Sequence, residues 1–338
     1  MTEFDRRPVS ARLAAYQHPI LLRSLWEILV TLAPLAILWA AVDISAARGW
    51  WWGLLLIPPA AFFLLRLFMI QHDCGHHSSF RSKAANTWTG RLIGVLTMTP
   101  YEYWRRTHAI HHATSGNLDR RGLGAVEMLT VSEYRALGWP RRLAYRIYRN
   151  PLVMLGLGPA YMFLLQHRLP IGTMREGWAW GSVLGNNLGL LLLGAALIAL
   201  GGPRVFLLAH LSVVVLAATM GVLLFYVQHQ FENAYWARNS DWSAERAALA
   251  GSSHLRLPQA LAWWTAYIGA HHVHHASSRI PFYRLPEVLR REPVLGDGPC
   301  LGLAQAIASL RLSLWDEAGE RLISFREARR DLRDAPKV

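Results

Sequence analysis

The chain has 338 residues, 53% of them hydrophobic, a composition that argues against two soluble domains and for a membrane protein. Its formal charge of +13 comes almost wholly from arginine, since lysine occurs only at Lys83 and Lys337; with no basic recognition motif or stacking platform, no nucleic-acid partner is expected. Two cysteines, Cys74 and Cys300, exclude a disulfide framework and fit a reducing compartment.

The first twenty residues, MTEFDRRPVSARLAAYQHPI, are polar and lack an apolar signal region beside a cleavage site, so no removed leader is expected. Four segments, 25–45, 50–70, 182–201 and 205–227, come near the ~20 apolar residues that a bilayer core needs. The short links 46–49 and 202–204 pair them as two hairpins. Pro58-Pro59 should kink the second span, and Arg66 within it should snorkel or find a partner. Trp50-Trp51-Trp52 reads as an interfacial aromatic belt.

Polar stretches follow each hairpin, at 71–181 and 228–338. Lysine and arginine number 4 in 1–24, 14 in 71–181 and 14 in 229–338, which places both termini and both polar stretches in the cytoplasm. Segment 151–166, PLVMLGLGPAYMFLLQ, is apolar but short and broken by Gly156, Gly158 and Pro159; an interfacial or re-entrant helix is expected there, not a fifth span. The end, 315–338, reads as an amphipathic helix with a solvated charged face. The expected fold is thus an all-α membrane protein forming one domain over 1–338. Its four transmembrane helices form two hairpins, with a helical cytoplasmic cap.

Nine of the fifteen histidines fall in four short clusters, all on the expected cytoplasmic side. They are His72 and His76; His108, His111 and His112; His229; and His271, His274 and His275. Residues three or four apart share a helix face, with Cβ atoms roughly 5–6 Å apart. Such a set can direct two or three imidazoles at one point, and neutral imidazole is the commonest metal ligand. A first-row ion takes four to six ligands, so this many imidazoles imply two ions. Structural zinc would be satisfied by four ligands and would usually recruit cysteine. Iron also suits imidazole and, with open positions, binds dioxygen.

The segments HDCGHHSSF, WRRTHAIHHATSGNLDRRG, FYVQHQFENAYW and HHVHHASSRIPFYRLP resemble the histidine boxes of membrane fatty acid desaturases, most closely the bacterial acyl-lipid desaturases of delta-12/omega-6 type. The resemblance runs from about residue 50 to 320, with the boxes in order. It implies a di-iron centre held by His72, His76, His108, His111, His112, His271, His274 and His275, with His229 as a further ligand. His77 competes with His76, because related families use a longer first box; a helix would turn His77 away from the face of His72. His272 is expected beside the site, since His271 already completes the i,i+3,i+4 set. The implied reaction reduces dioxygen with two outside electrons and removes two hydrogens from an acyl chain of a membrane lipid. No His-Pro-Gly-Gly haem signature or dinucleotide fingerprint occurs, so a separate ferredoxin or small cytochrome should supply the electrons. The expected location is a bacterial inner membrane.

Asp73, Glu102, Asp119 and Glu232 are candidates to orient the imidazoles, Asp119 and Glu232 being equally suited to ion pairs with arginine. Asn186, Asn187 and His210, inside the spans, suit helix–helix hydrogen bonds. Relatives of this type carry Asn, Phe and Leu where this chain has Tyr267, Ala270 and Ala276, and depart also around Ala125 and Glu127. The two alanines should enlarge or reshape the substrate tunnel. A hydroxylase or ketolase would share these boxes. A zinc-dependent membrane hydrolase would need fewer imidazoles and a carboxylate base, and a metal transporter would place its ligands inside the spans.

Overall fold

Long apolar runs set the architecture of the computed structural model, which describes residues 9–122 and 124–334. Helix α1 (Leu21–Ala47) is followed by a 3-10 turn (Trp51–Leu56) and helix α2 (Ile57–Gly75). In the polar stretch come α3 (Lys83–Leu96), α4 (Tyr101–Thr114), α5 (Trp139–Tyr148) and α6 (Gly158–Leu164). Then α7 (Gly177–Val205) and α8 (Ser212–His229) are joined by a π-helical turn (Phe206–Leu211), and α9 is the short helix His271–Ala276. Among the described residues three helical stretches, Leu21–Ala47, Trp51–Gly75 and Gly177–His229, are long and apolar enough to cross a membrane.

The expected loop at 202–204 is instead a break inside the third stretch. Gly202 takes φ 82°, ψ 164°, a conformation essentially reserved for glycine, and Pro203 follows it. A Cβ on Gly194 would lie 3.8 Å from the ring of Phe206. In an unbroken helix those positions would be about 18 Å apart along the axis, so the chain bends sharply at Gly202. The expected kink at Pro58-Pro59 is also absent: both prolines sit in the first turn of α2, where a missing N–H leaves no hydrogen bond unmade.

Arg66 is fully buried and paired. Its guanidinium bonds the Glu27 carboxylate of α1, the Trp263 carbonyl and, at 3.1 Å, Thr31 Oγ1, and lies 3.9 Å from the Trp263 ring centroid. Around it Leu64, Leu67 and Ile70 of α2, Val213 and Ala217 of α8, and Val273, Ile280 and Phe282 of the last polar stretch form one apolar core. Asn186 of α7 donates to the Gly94 carbonyl of α3 at 2.9 Å, and His210 meets Asp43 of α1 at 3.1 Å, both helix–helix contacts of the kind expected.

The fold is mainly helical, with small sheets that correct the all-α expectation. Strand β1 (Leu129–Thr130) runs parallel to β2 (Leu312–Asp316), with Leu129 opposite Leu314, and β2 pairs antiparallel with β3 (Arg321–Ser324). Residues 254–255 and 300–301 form a second, two-stranded pairing. The amphipathic helix expected from residue 315 begins only at Phe325 and runs to Asp334, the remaining residues lying outside those described. Tertiary burial decides this: Trp315 and Leu322 enter a core with Leu118, Met128 and Phe231, while Leu314 and Ile323 pack on Tyr134 and Tyr145. A hairpin can bury residues of adjacent positions on opposite faces, which an isolated amphipathic helix cannot.

Replacing Glu27 by Ala strands a buried guanidinium and should cost about 3–5 kcal/mol, read as a lowered Tm of the protein in detergent. Glu27→Leu combined with Arg66→Met should recover most of the loss. An unchanged Tm for the single variant would contradict the pairing.

Candidate metal centre

Four helix ends converge. The last turn of α2 carries His72, with His76 as its C-cap; α4 presents His108, His111 and His112 from its second half; α8 ends at His229; and α9 supplies His271, His274 and His275. Spacings of three and four residues put each pair or triplet on one face of its helix.

The nine imidazoles form two groups. His72, His76, His108, His112 and His274 make the first, and His111, His229, His271 and His275 the second; within each, the facing nitrogens lie within 4.8 Å of one another. In the first, His108 Nε2 is 3.0 Å from His72 Nε2, 3.0 Å from His76 Nε2 and 3.1 Å from His112 Nε2. In the second, His229 Nε2 is 3.1 Å from His111 Nε2 and 2.9 Å from His271 Nε2. The groups abut, with the rings of His112 and His275 stacked at 4.1 Å.

Hydrogen bonding does not account for this. A neutral imidazole has one N–H, so His108 Nε2 cannot serve three neighbouring Nε2 atoms together. Two nitrogens each about 2.1 Å from one ion and at right angles to each other are about 3.0 Å apart, the separation found. Nδ1 of His111 and of His271 has no hydrogen-bond partner among the described residues. His229 is oriented by its Nδ1, 3.1 Å from the Gly251 carbonyl. Burial, followed by the proximity of the other imidazoles, pushes His108, His111, His112, His271, His274 and His275 well below the ordinary value of 6.5. They are therefore neutral at pH 7 and present lone pairs. The residues fit a pair of metal ions.

Neighbouring candidates are placed elsewhere. His77, at φ 56°, turns out to Arg105, its Nε2 3.0 Å from Nη1. His272 Nε2 lies 2.7 Å from the Leu295 carbonyl and outside both groups. Of the four carboxylates, only Asp73 approaches a ligand, 3.5 Å from His72 Nδ1, and it accepts the Phe282 N–H at 2.7 Å. Glu102 pairs with Arg91 and Ser182, Asp119 with Arg238, and Glu232 with Arg321.

Two aromatic neighbours escaped the sequence reading. Trp104 stacks on His108, with centroids 4.7 Å apart at 14°, and Phe225 lies 4.9 Å from His111. Both stand four residues before a clustered histidine, Trp104 before His108 and Phe225 before His229, a spacing that was available as a signal. Gly75 makes room for Trp104: a Cβ there would come within 2.8 Å of the indole.

Beside the centre is a cavity of about 740 Å³, within the size of small-molecule sites. His72, His108 and His271 line it together with apolar residues such as Leu64, Phe68 and Leu224. Ala270 and Ala276, expected to enlarge or reshape this space, do not line it; Ala270 is buried among Ile268, Val273 and Phe282. Of the departures from the family pattern, Ala125 does line it. Tyr267 adopts φ 55°, a left-handed conformation uncommon for a residue other than glycine.

Residues 49–298 match the fatty acid desaturase family. The chain belongs to that family. It is 40% identical to a fatty acid desaturase of Bacillus subtilis over 95% of this chain and 91% of that one. A probable fatty acid desaturase of Sorghum bicolor is 28% identical over 81% of this chain and 71% of its own length. An sn-1 acyl-lipid omega-3 desaturase (ferredoxin) of Synechocystis sp. is 30% identical over 68% of this chain and 65% of that one. This chain is accordingly a desaturase enzyme.

Two outcomes follow for the desaturase. Once stripped of metal by a chelator, its folded state keeps seven histidines, His76 among them, neutral below 6.5 while the unfolded chain protonates them. Thermal stability should therefore fall as pH drops below about 6.5 and be unaffected by these groups above it; a Tm that stays flat from about pH 7 to about pH 5 would contradict their burial. Gly75→Ala should displace Trp104 from His108 and lower metal content, measured by elemental analysis.

Proposed function

We propose that the nine imidazoles hold two iron ions and that the chain uses dioxygen there to introduce a double bond into the acyl chain of a membrane lipid. The supporting observation is the union of two all-imidazole groups with an apolar cavity that reaches His72, His108 and His271. Five nitrogens in one group exceed the four of a tetrahedral zinc site, and neither group contains a cysteine. The chemistry such an iron pair supplies when bound is the reduction of dioxygen by two outside electrons and removal of two hydrogens from adjacent methylenes.

The chain's own residues position the methylenes and keep water away. Leu64, Leu65, Phe68, Met69 and Leu224 offer no hydrogen-bonding side chain to water or to the substrate. An acyl chain held there is oriented by shape, with its reacting carbons beside the imidazole groups. The named omega-3 relatives and the delta-12/omega-6 resemblance of the boxes share acyl-lipid desaturation, and that shared part is the activity assigned.

Electrons are assigned to a separate ferredoxin or small cytochrome. Two relatives carry ferredoxin in their names, and an arginine-rich surface attracts acidic carriers. The chain is read as one functional unit over 1–338, crossing a bacterial inner membrane four times. The bend at Gly202 then lies outside, and both termini, both polar stretches and the centre are cytoplasmic.

Lipid mass spectrometry with double-bond localisation tests the reading. Cells expressing the wild type aerobically with a donor should gain an unsaturated product, which His111→Ala should abolish, and the purified protein should hold about two irons per chain. A product that gains oxygen would select a hydroxylase or ketolase, and one zinc with no iron would overturn the centre.

A further inference from the structure

Segment 139–165 exposes apolar side chains along its length. Trp139, Leu143 and Ile147 on α5 are 76%, 49% and 52% exposed; Leu157, which ends a second π-helical turn (Val153–Leu157), Tyr161 on α6 and Leu165 just after α6 are 69%, 53% and 63% exposed. Each triplet has a spacing of four residues, so each forms a stripe on one helix face. At ten and seven residues α5 and α6 are too short to cross a bilayer. Arg142 is exposed on α5 beside the first stripe and Arg141 is exposed on the opposite face, the pairing of apolar face and arginine found in helices that lie in a membrane interface.

The segment also descends along a helix long and apolar enough to cross the membrane. Arg149 Nη2 donates to Tyr226 Oη at 2.9 Å near the end of α8; Met154 packs with Tyr226 and Val227; and the Leu155 carbonyl accepts from Thr219 Oγ1 at 3.0 Å. Thr219 lies about 15 Å along the helix axis from His229. The chain then returns through α6 to Arg168, which bonds Asn186 and Asn187 of α7. The exposed stripe of α6 therefore sits at the level of the apolar helices, well away from the histidine end of α8.

The cavity opens there. Tyr148, Leu157 and Tyr161 line it and are also exposed, while His72 and His271, at its other side, are buried. We propose that segment 139–165 is a re-entrant membrane segment and that its descending part frames a lateral portal, through which the acyl chain of a bilayer phospholipid slides into the cavity. The occupant is a membrane lipid chain because the rim is apolar, continuous with the membrane helices and flanked by arginines suited to anionic headgroups. A water-soluble acyl carrier would need an opening facing the aqueous phase. The proposal rests on the acyl-lipid reading above only for the identity of the guest; the placement of the segment stands separately.

The test uses the full chain with Cys300→Ser, carrying Leu157→Cys, Tyr161→Cys or, as an aqueous control, Asn233→Cys. Each is labelled with bimane and reconstituted in phosphatidylcholine vesicles containing phosphatidylglycerol. Doxyl-labelled phospholipid should quench positions 157 and 161 severalfold more than iodide does, with the reverse at 233. Iodide quenching at 157 and 161 equal to that at 233 would overturn the portal, whatever the enzyme's activity. A second measurement follows the lipid: Leu157→Asp should retain the metal content of the wild type and lose most desaturation of vesicle phospholipid. Full activity of that variant on vesicle lipid would also overturn it.

Discussion

The structure depends on nine imidazoles being held close together. Left to itself, such a cluster is unfavourable: it is buried, its nitrogens crowd within van der Waals distance, and few hydrogen bonds satisfy them. Four separate helix ends are nonetheless brought to one place, and the apolar core of α2, α8 and the segment after α9 provides the packing that holds them. Bonding of their lone pairs to the proposed cations would offset that cost. Neutrality serves that bonding, since a protonated imidazole cannot ligate a metal.

Around that centre the rest of the chain has readable duties. The buried Glu27–Arg66 pair fixes α1 against α2 and reaches across to the Trp263 carbonyl, so it couples the membrane helices to the stretch that leads into α9. Asp73, beside His72, accepts the Phe282 N–H and ties the end of α2 to the chain following α9. Arg149, fully buried and without a carboxylate, bonds the Glu127 and Leu312 carbonyls, Tyr226 Oη and Gln230 Oε1, so it joins the small sheet to the end of α8. These links hold the histidine-bearing ends in register, on which any reaction at adjacent methylenes depends.

Much of this was legible in the sequence. The histidine spacings and the apolar runs are local signals, and each maps directly onto a helix face or a long apolar helix. The features that escaped are those where tertiary context decides. Pro58-Pro59 reads as a kink until the helix start is known. Gly202-Pro203 reads as a loop, yet helix continues on both sides of one non-helical residue. The 312–324 hairpin pairs with residues 129–130, far away in sequence, and no window around Trp315 contains that partner. The cavity is likewise non-local: alanines next to the third histidine box turn inward to the core, whereas its walls come from α2, α4, α6 and α8.

The central claim is that imidazoles alone hold two irons, and X-ray absorption at the iron edge of the purified full-length protein tests it most directly. The account predicts first-shell scattering dominated by about four to five nitrogens per iron, with the outer-shell pattern of imidazole rings. Sulfur scatterers, a shell dominated by oxygen, or an absence of iron from an active preparation would contradict it.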